Sequence, residues 1–356
     1  MMMSSSTHMQ TKDERMTQNI VIIGDTHFGA RNNSMIWLKH QTDGFMEIIR
    51  YVEESVKKYD ETVIIHVGDL FDSRSSVNPM VYKSVENVMG CINRVMEESI
   101  NKAHMYIIGG NHDYYYQWES ENNNSSTLML PKFSKITYVN TRPEEYAGII
   151  MIPWFVFHNP DMLSGIMMDR NPKENMIFTH TDPFHMNPEL GKIIKGYPLV
   201  TGHIHQPVMD WDNLLLVTGA TYPIDFADTN SERGFWTMKR EYDGSHIGDI
   251  TIDFHPVKSS IHFFTITEHM LGDWKTLGIK KDDYVEVQIR AGHVDDYKDV
   301  LKELNDNFNI NMMYLTESTG IMMGHTEILN VDSVCRKLLP EKLKPIYDRM
   351  VKECNN

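Results

Sequence analysis

The sequence of 356 residues predicts an α/β protein in which two sheets pack on each other between helices and a smaller α/β unit follows. Three observations support this fold class. Up to about residue 110, apolar runs alternate with long segments of helical spacing. From there to about residue 257 the apolar runs continue with weaker helical signal between them. Beyond residue 260, a strand, an amphipathic helix and another strand follow one another.

The first sheet is predicted from three apolar runs that are separated by two helices. The runs are residues 19–25 (NIVIIGD), 62–69 (TVIIHVGD) and 104–110 (HMYIIGG), and the helices are residues 35–59 and 79–101. Crossovers of this length favour parallel strands. The carboxyl ends of the three strands should therefore line one edge of the sheet.

A second sheet, packed on the first, is predicted from four later runs. They are residues 147–154, 175–180, 197–203 and 213–220. Residues 234–240 and 247–257 should form a hairpin with Gly244 at its turn. In the last part of the chain, strands at 282–291 and 310–317 flank a helix at 294–308, and a helical tail runs from Asp332 to Glu353.

Composition restricts the class of protein. The 41% hydrophobic and 10% aromatic residues are typical of a globular chain, and three scattered cysteines, Cys91, Cys335 and Cys354, argue against a disulfide framework or a thiolate metal site. They favour a reducing cytoplasm. We expect no membrane span, because no apolar run approaches about 18 residues, and no signal peptide. A net charge of −15 argues against a protein that coats nucleic acid, although not against an enzyme that acts on it through metal ions.

Five short segments at the ends of strand-like runs carry carboxylate, imidazole or carboxamide side chains. They are DTHFG (25–29), GDLFD (68–72), GNHD (110–113), THTD (179–182) and GHIH (202–205). Any one of these segments alone is more typical of a turn or a pair of structural histidines. All five in this order, each after a strand, indicate one shared site at a sheet edge, where ligands usually bind.

The types of side chain in these segments indicate a metal centre. Carboxylate, imidazole and carboxamide ligands without thiolate suit manganese, iron or zinc. Seven side chains are available: Asp25, His27, Asp69, Asn111, His180, His203 and His205. If Asp69 bridges two ions, each ion has four protein contacts, and His203 and His205 should reach different ions. Two ions about 3.5–4 Å apart can activate a water and stabilise both oxygens of a displacement at phosphorus.

The segment GGNHDYYYQ (109–117) combines a turn with candidate functional residues. Gly109 and Gly110 are expected to turn the chain because glycine tolerates positive φ. Asp113 is expected to brace the turn. Of the three tyrosines, Tyr114 to Tyr116, each could stack on a base near the site, while packing in the core is the alternative for at least one of them.

In order and spacing, the five segments resemble the calcineurin-like metallophosphoesterase superfamily. Within it, the chain resembles the nuclease subunits of Mre/SbcD-type DNA double-strand-break repair, and most of all the T-even-type phage recombination endonuclease subunits. This narrower resemblance rests on GDLFDSR (68–74), on the absence of the Asp-Arg-Gly continuation of protein phosphatases, and on TGATYPIDFADTNSERGFW (218–236). It covers about residues 19–240 through specific motifs, and beyond residue 260 it rests on layout only.

The resemblance implies a two-sheet fold and a phosphodiesterase with two Mn²⁺ ions, with Mg²⁺, Fe²⁺ or Zn²⁺ as alternatives. By motif match, Asp25, His27, Asp69 and His205 would bind one ion, and Asp69, Asn111, His180 and His203 the other. His112 would stabilise or protonate the leaving oxygen, and Asp72 would orient His112. Thr179 stands where the family usually has glycine, which leaves His185 as a remote alternative ligand.

The resemblance also implies partners, domains and a location. The expected partners are DNA, as double-stranded ends and single-stranded regions, a second copy of the chain, and an SMC-like ABC ATPase of the SbcC/Rad type in the cytoplasm, the host's if the chain is phage-encoded. The expected domains are a disordered tail (1–17), a catalytic domain (18–261), a capping and DNA-contacting domain (262–328) and a helical tail (329–356) that either docks a partner or packs on its own domain. The alternatives are a metallophosphatase acting on nucleotides or phosphoproteins, and a scaffold without catalysis.

A few residues outside the ligand set are candidates for substrate binding. Arg31, Arg74 and Arg233 lie near the motif segments and could neutralise phosphates, and Tyr114 could stack on a base. The alternative for each is an ordinary solvated or packed side chain. His66, within VIIHVGD, is expected to be a buried structural histidine instead of an eighth ligand.

Overall fold

The computed structural model describes most of the chain. The described residues are 16–115, 125–224, 226, 232–242, 248–258, 262–281 and 283–315. The chain divides into two compact units, residues 1–313 and 314–356, and the fold below is that of the first unit. The predictions for residues 1–15, Tyr116, the turn at Gly244, and the tail from Asp332 to Glu353 lie outside the described residues.

The first sheet has six strands with a parallel centre. Their order is β12 (Ile250–Pro256), β11 (Gly234–Tyr242), β1 (Met16–Ile23), β2 (Glu61–His66), β3 (Lys102–Ile108) and β4 (Ile136–Val139). β1 to β4 are parallel, and β11 and β12 form the predicted antiparallel pair beside β1. β1 begins at Met16, which pairs with Tyr242, two residues before the predicted start of the catalytic domain at residue 18.

Two long helices cover the outer face of this sheet. α2 (Met35–Lys58) follows a single turn, α1 (Ala30–Asn33), and α3 (Pro79–Glu97) follows β2. Asn78 caps α3 by accepting a hydrogen bond from Met80 N at 2.8 Å, and Pro79 occupies its first position. The apolar stripe of α2 packs on the sheet through Phe45, Ile48 and Val52. None of the helices among the described residues is both long and apolar enough to span a membrane.

The second sheet packs against the inner face of the first, as predicted. Its order is β5 (Glu144–Tyr146), β6 (Ile149–Met151), β7 (Met176–His180), β8 (Leu199–Gly202), β10 (Leu215–Val217) and β9 (Val208–Asp210). The shared core joins side chains such as Ile22 and Ile65 from one sheet to Phe178 and Val200 from the other. The short helices α4 (Trp154–Phe157), α5 (Pro160–Met167) and α6 (Pro188–Ile193) cover the outer face.

A third, three-stranded sheet ends the described chain. It contains β13 (Phe263–Thr267), β14 (Tyr284–Arg290) and β15 (Asn309–Leu315), with α7 (Lys298–Asn307) between the last two. β13, which is parallel to β14, is absent from the sequence prediction although Phe263–Thr267 is rich in aromatic and β-branched residues. The sheet has its own apolar core, which includes Ile266, Val287 and Leu304.

Aromatic side chains join the third sheet to α2. Phe263 and Tyr284 pack with Trp37 and Tyr222, and the ring centroids of Trp37 and Tyr284 lie 5.8 Å apart. The predicted fold class is confirmed, because the two large sheets lie between helices and a smaller α/β part follows. The boundary at residues 261 and 262 stays a prediction.

Candidate metal centre

The strand ends of both large sheets bring the five motif segments together. β1, β2 and β3 are in register so that Ile23 pairs with His66 and His66 with Ile107, which places their carboxyl ends at one edge. In the second sheet, His180 at the end of β7 pairs with Gly202 at the end of β8. The loops that follow these strands therefore meet at one place in the molecule.

One group of donor atoms forms around Asp25, which is fully buried. Asp25 Oδ2 lies 3.7 Å from His205 Nε2 and 4.0 Å from His27 Nε2. His27 Nε2 lies 3.6 Å from Asp69 Oδ2. The structure thus brings together the four side chains predicted to share the first ion.

A second group forms around His180, which is also fully buried. His180 Nε2 lies 3.2 Å from Asp69 Oδ2 and 2.9 Å from Asn111 Oδ1. His203 Nδ1 lies 2.9 Å from the same Asn111 oxygen. These are the four side chains predicted to share the second ion, and Asp69 touches both groups.

Hydrogen bonding fixes the tautomer of His180. Its Nδ1 lies 3.0 Å from the carbonyl oxygen of Val67. Because a carbonyl oxygen can only accept, Nδ1 is the donor, and the lone pair of the neutral ring is therefore on Nε2. That lone pair faces the Asp69 carboxylate, which is also an acceptor. Burial lowers the pKa of His180, but Asp69 and Asp25 outweigh burial and raise it to about 9. Conversely, His180 and His27 hold the pKa of Asp69 below its ordinary value, although burial raises it.

The surroundings of His27 also favour a cation. Both ring nitrogens of His27 are buried and have no hydrogen-bond partner among the described residues. Burial lowers the pKa of His27, yet the carboxylates of Asp72, Asp69 and Asp25 together raise it. The site thus contains buried carboxylates, a carboxamide oxygen and imidazole nitrogens, and the ring nitrogens of His27 have no hydrogen-bond partner among the described residues. This set of side chains matches the ligands of a divalent metal ion. The residues present therefore fit such an ion, while their roles as ligands stay predictions.

Three of the candidate ligands adopt left-handed backbone conformations. The φ angles are 42° at His27, 53° at Asp69 and 78° at His203. Such angles cost about 1–3 kcal/mol for a residue other than glycine and persist mainly at functional sites. The backbone of Asp69 holds the first loop in place, since His27 N donates to Asp69 O at 3.0 Å. Sequence reasoning gave no sign of this strain.

Gly109 and Gly110 do not adopt the positive φ that was the expected reason for glycine at these positions; they act through close approach. Gly110 has an ordinary φ of −91°, and a Cβ atom on it would lie 2.3 Å from Asp69 N and Oδ1. A Cβ on Gly109 would lie 2.1 Å from the Tyr114 hydroxyl oxygen. Gly68 does have positive φ, at +114°, and a Cβ there would lie 2.4 Å from His180 Nδ1. Gly68 and Gly110 therefore make room for the candidate ligands His180 and Asp69, and Gly109 makes room for Tyr114.

Asp113 braces the loop as expected. Its carboxylate accepts hydrogen bonds from Gly110 N at 3.0 Å, Phe71 N at 3.2 Å and Leu70 N at 3.3 Å. It therefore ties the loop after β3 to the loop after β2. Burial and the neighbouring Asp69 raise the pKa of Asp113 to about 7, against the effect of these donors.

His112 and Asp72 lie beside the metal candidates, but they are linked differently from the prediction. His112 Nδ1 donates to the backbone carbonyl oxygen of Asp72 at 2.6 Å, while the Asp72 carboxylate lies 3.5 Å from His27 Nδ1. Asp72 thus orients His112 through its main chain and approaches His27 through its side chain. Because Nδ1 of His112 carries the hydrogen, Nε2 is the open position of the ring.

Two of the four residues predicted to contact the substrate, Tyr114 and Arg233, are buried, so these two predictions are wrong. Tyr114 is 3% exposed, its hydroxyl donates to Asn140 O at 2.7 Å, and its ring packs on Phe155, so it cannot stack on a base. Arg233 is also 3% exposed and approaches Gln206 Oε1 at 3.4 Å, so it supports the His205 loop instead of facing a phosphate. Tyr115, by contrast, is 53% exposed.

Arg74, Arg31, His185 and Thr179 were also singled out from the sequence, and their surroundings differ. Arg74 is exposed two residues after Asp72, and Arg31 lies among aromatic side chains of the third sheet. The side chain of His185 is 85% exposed and pairs with Asp182 at 2.8 Å, away from the donor groups. Thr179 donates its hydroxyl to Ile152 O at 2.8 Å and leaves His180 undisturbed.

Two buried side chains position the loop after β1. One of them, Gln41, was not predicted from the sequence, and the other, His66, was. Gln41, which sequence reasoning missed, donates to Thr26 O at 2.8 Å and His27 O at 2.7 Å. A polar residue on the apolar face of α2 was the available signal. His66 is buried as predicted, and its Nε2 donates to Thr26 Oγ1 at 2.9 Å while Gly68 N donates to its Nδ1 at 3.3 Å.

Comparisons with known proteins relate this arrangement to a family. Residues 18–207 match the family model for calcineurin-like phosphoesterases. The chain is similar to the DNA double-strand break repair protein Mre11 of Nanoarchaeum equitans, with 22% identity over 355 residues that cover 90% of this chain and 91% of that protein. Among solved structures it is similar to Pseudomonas putida nuclease MPE, with 13% identity and a TM-score of 0.24 over 54% of this chain. That match covers 64% of the solved chain, which is less than two thirds.

Proposed function

Because the chain belongs to the calcineurin-like phosphoesterase family, we propose that it is a metal-dependent nuclease that hydrolyses phosphodiester bonds in DNA. The superfamily predicted from the five motif segments is confirmed by the match over residues 18–207. The observation that carries the proposal is the convergence of seven metal-type donors from both sheets, with His112 beside them. A phosphoesterase needs both kinds of group at one place.

We propose that the two donor groups hold two divalent ions, with manganese as the expected metal. Asp25, His27, Asp69 and His205 would hold one ion, and Asp69, Asn111, His180 and His203 the other. When bound, the ions supply a water of lowered pKa and neutralise charge on the phosphate. The strained, left-handed backbone at His27, Asp69 and His203 is consistent with a functional role for these three donors.

His112 supplies the proton chemistry in this proposal. In hydrolysis the oxygen of a water forms a bond to phosphorus while the bond between phosphorus and the leaving oxygen breaks, and the leaving oxygen must gain a proton. His112 keeps its Nδ1 hydrogen on the Asp72 carbonyl, so a proton held on Nε2 can pass to the leaving oxygen. Asp69 Oδ1 accepts from His112 N at 2.8 Å, which fixes the ring relative to the donor groups.

DNA is the proposed substrate because of the similarity to a DNA double-strand break repair protein over 90% of the chain. The exposed Tyr115 and Arg74 near the donor groups offer a ring and a positive charge to a strand. The proposal includes action on DNA ends, a homodimer, and an SMC-like ATPase partner. These follow from the resemblance of motifs such as GDLFDSR to the Mre/SbcD type.

The test is cleavage of end-labelled linear duplex DNA with Mn²⁺, with Mg²⁺ and with EDTA. Asp69→Asn should lose both metal binding, followed by calorimetric titration, and cleavage. His112→Gln should retain metal binding while cleavage falls by about 10²–10⁴-fold, the usual contribution of a general acid. Asp212→Asn, at an exposed aspartate, is the matched control and should cleave like the unchanged protein.

Other outcomes would favour the alternatives. Hydrolysis of a small phosphomonoester without cleavage of DNA would identify a metallophosphatase. A protein that binds no divalent metal would be a scaffold. Full activity of both Asp69→Asn and His112→Gln would contradict the assignment of the site.

A further inference from the structure

A cavity lined by Arg31, four residues after the candidate ligand His27, has no role in the chemistry described above. It has a volume of about 480 Å³, and the described residues that line it are Arg31, Phe226, Tyr284, Ile310 and Asn311. It therefore lies where the loop after β1 meets the third sheet. This volume is in the range of small-ligand sites.

Arg31 lines this cavity, and its guanidinium has unused hydrogen-bonding capacity. Its carbon lies 5.1 Å, 5.6 Å and 5.7 Å from the ring centroids of Phe263, Tyr284 and Phe226. Arg31 Nε donates to Ile224 O at 3.0 Å, whereas Nη2 is buried and has no partner within the described part of the chain. A buried donor without an acceptor is costly unless a ligand satisfies it.

The backbone is strained to hold Arg31 in this position. Arg31, Asn32 and Asn33 have φ angles of 58°, 55° and 59°, which form one left-handed turn. Each left-handed residue costs about 1–2 kcal/mol. Hydrogen bonds from Asn33 N to Gly29 O at 2.9 Å and from Ser34 N to Arg31 O at 3.1 Å maintain the turn. Strain of this kind is typical of binding sites.

We propose that the cavity binds one unpaired nucleobase of the DNA substrate, an inference that rests on the proposed nuclease function. The rings of Tyr284 and Phe226 provide stacking surfaces, and Arg31 Nη2 donates to an acceptor atom on the base edge. A phosphate would need several donors around it. The described lining instead offers two rings, the side chain of Ile310, one guanidinium and the Asn311 amide, which suits a planar ligand.

The position of Arg31 in the chain limits where this base lies on the strand. Arg31 is four residues after His27, and four residues of extended chain span at most about 14 Å. A stacked strand advances about 3.4 Å per nucleotide, so this largest backbone separation corresponds to about four nucleotides. The cavity would then select DNA with an unpaired base near the cleavage point.

The experiment measures binding, using His112→Gln protein with Mn²⁺ so that the DNA stays intact. Fluorescence anisotropy follows duplexes with a single-stranded tail, in which one abasic residue is moved along the tail. At one position the abasic residue should weaken binding about 5-fold to about 150-fold, the equivalent of one stacked base. At the other positions the effect should be small. This comparison needs no change at the cavity, so it does not depend on variant stability.

Variants then assign the effect to the cavity. Arg31→Gln and Phe226→Ala should remove the position-specific loss, whereas Tyr284→Phe, which keeps the ring, should retain it. Arg142→Ala is the matched charge control, since this side chain is 85% exposed and lies 3.8 Å from Glu144. It should also retain the loss.

The inference and the proposed function fail in different ways. DNA binding with equal abasic effects at all positions, or a position-specific loss that persists in Arg31→Gln, overturns the base-binding cavity and leaves the nuclease proposal intact. Absence of DNA binding in the Arg142→Ala control and in the parent protein overturns the nuclease proposal and the cavity assignment together.

Discussion

At the scale of residues, Asp72 acts through two different atoms. Its carbonyl oxygen accepts from His112 Nδ1 at 2.6 Å, and its carboxylate lies 3.5 Å from His27 Nδ1. The main-chain contact survives any substitution that preserves the loop. The two roles can therefore be separated by experiment.

We predict that Asp72→Asn affects metal affinity more than turnover. Loss of the carboxylate beside His27 should weaken Mn²⁺ binding by about 10–100-fold, the usual effect of a group that supports a ligand. At saturating Mn²⁺, DNA cleavage should stay well above that of His112→Gln. Activity titrated against Mn²⁺ measures both effects. An equal loss at saturation in the two variants would mean that the carboxylate acts on His112 after all.

His66 makes folding stability depend on pH. Burial lowers the pKa of His66 to about 3, from the ordinary value of 6.5. The unfolded chain therefore takes up this proton first. The contribution is fully present above pH 6.5 and is lost as the pH falls towards 3.

We predict that His66→Gln makes the free energy of unfolding depend less steeply on pH under acidic conditions. Between about pH 5.5 and 4.5 the free energy of unfolding should fall less steeply than in the parent protein, by up to about 1.4 kcal/mol per pH unit for one proton. Urea unfolding in EDTA measures the slopes. His185→Gln, at a side chain that is 85% exposed, is the control and should keep the parent slope. Identical slopes for the parent and His66→Gln would contradict the prediction.

At the scale of elements, the loops after the strands pack so closely that side chains are excluded from particular positions. Gly110 approaches the backbone and carboxylate of Asp69, and Gly202 leaves only 2.4 Å between a hypothetical Cβ and Asp25 Oδ1. Gly165 in α5 has no atom within 4 Å of such a Cβ. The same substitution should therefore have opposite effects in the two settings.

We predict that Gly110→Ala weakens Mn²⁺ binding and lowers stability by about 1–3 kcal/mol, because Asp69 must move. Gly165→Ala should leave metal binding unchanged and stabilise the helix by about 0.5–1 kcal/mol. Calorimetric titration with Mn²⁺ and thermal unfolding provide the two measurements. Normal Mn²⁺ affinity in Gly110→Ala would show that Asp69 is not constrained by this contact.

At the scale of the whole molecule, a net charge of −15 opposes the approach of DNA. Binding must then depend on local contacts and on divalent ions at the donor groups. We therefore expect lysine and arginine to neutralise few phosphates of the bound DNA.

We predict a shallow dependence of DNA affinity on salt. With His112→Gln and Mn²⁺, the logarithm of the binding constant against the logarithm of KCl concentration should have a slope of about −3 or shallower, corresponding to about three phosphate contacts. Removal of Mn²⁺ with EDTA should weaken binding. Anisotropy titrations between about 50 mM and 200 mM KCl give the slope. A slope near −6 would reveal a basic surface that the net charge conceals.

The sequence alone determined the order of β1, α2, β2, α3 and β3 and the kinds of side chain at the strand ends. Parallel strands joined by long helices must end at one edge, so Asp25, Asp69 and Asn111 could be placed together without a structure. Short apolar runs were less certain, because periodicity is weak over a few residues. The strand predicted at 147–154 ends at Met151, since Pro153 lacks a donor and Trp154 begins a helix. The short strands β4, β5, β9 and β13 were missed.

Only the tertiary structure decided which atoms face each other across the site. The carbonyl of Val67 fixes the tautomer of His180 across 113 residues of sequence, and Tyr114 is buried because Gly109 leaves room for its ring. The cavity at Arg31 exists because a loop after β1 meets a sheet that begins more than two hundred residues later. Local pattern fixes which residues follow a strand, whereas these contacts depend on how separate sheets pack. Packing is a property of the whole chain.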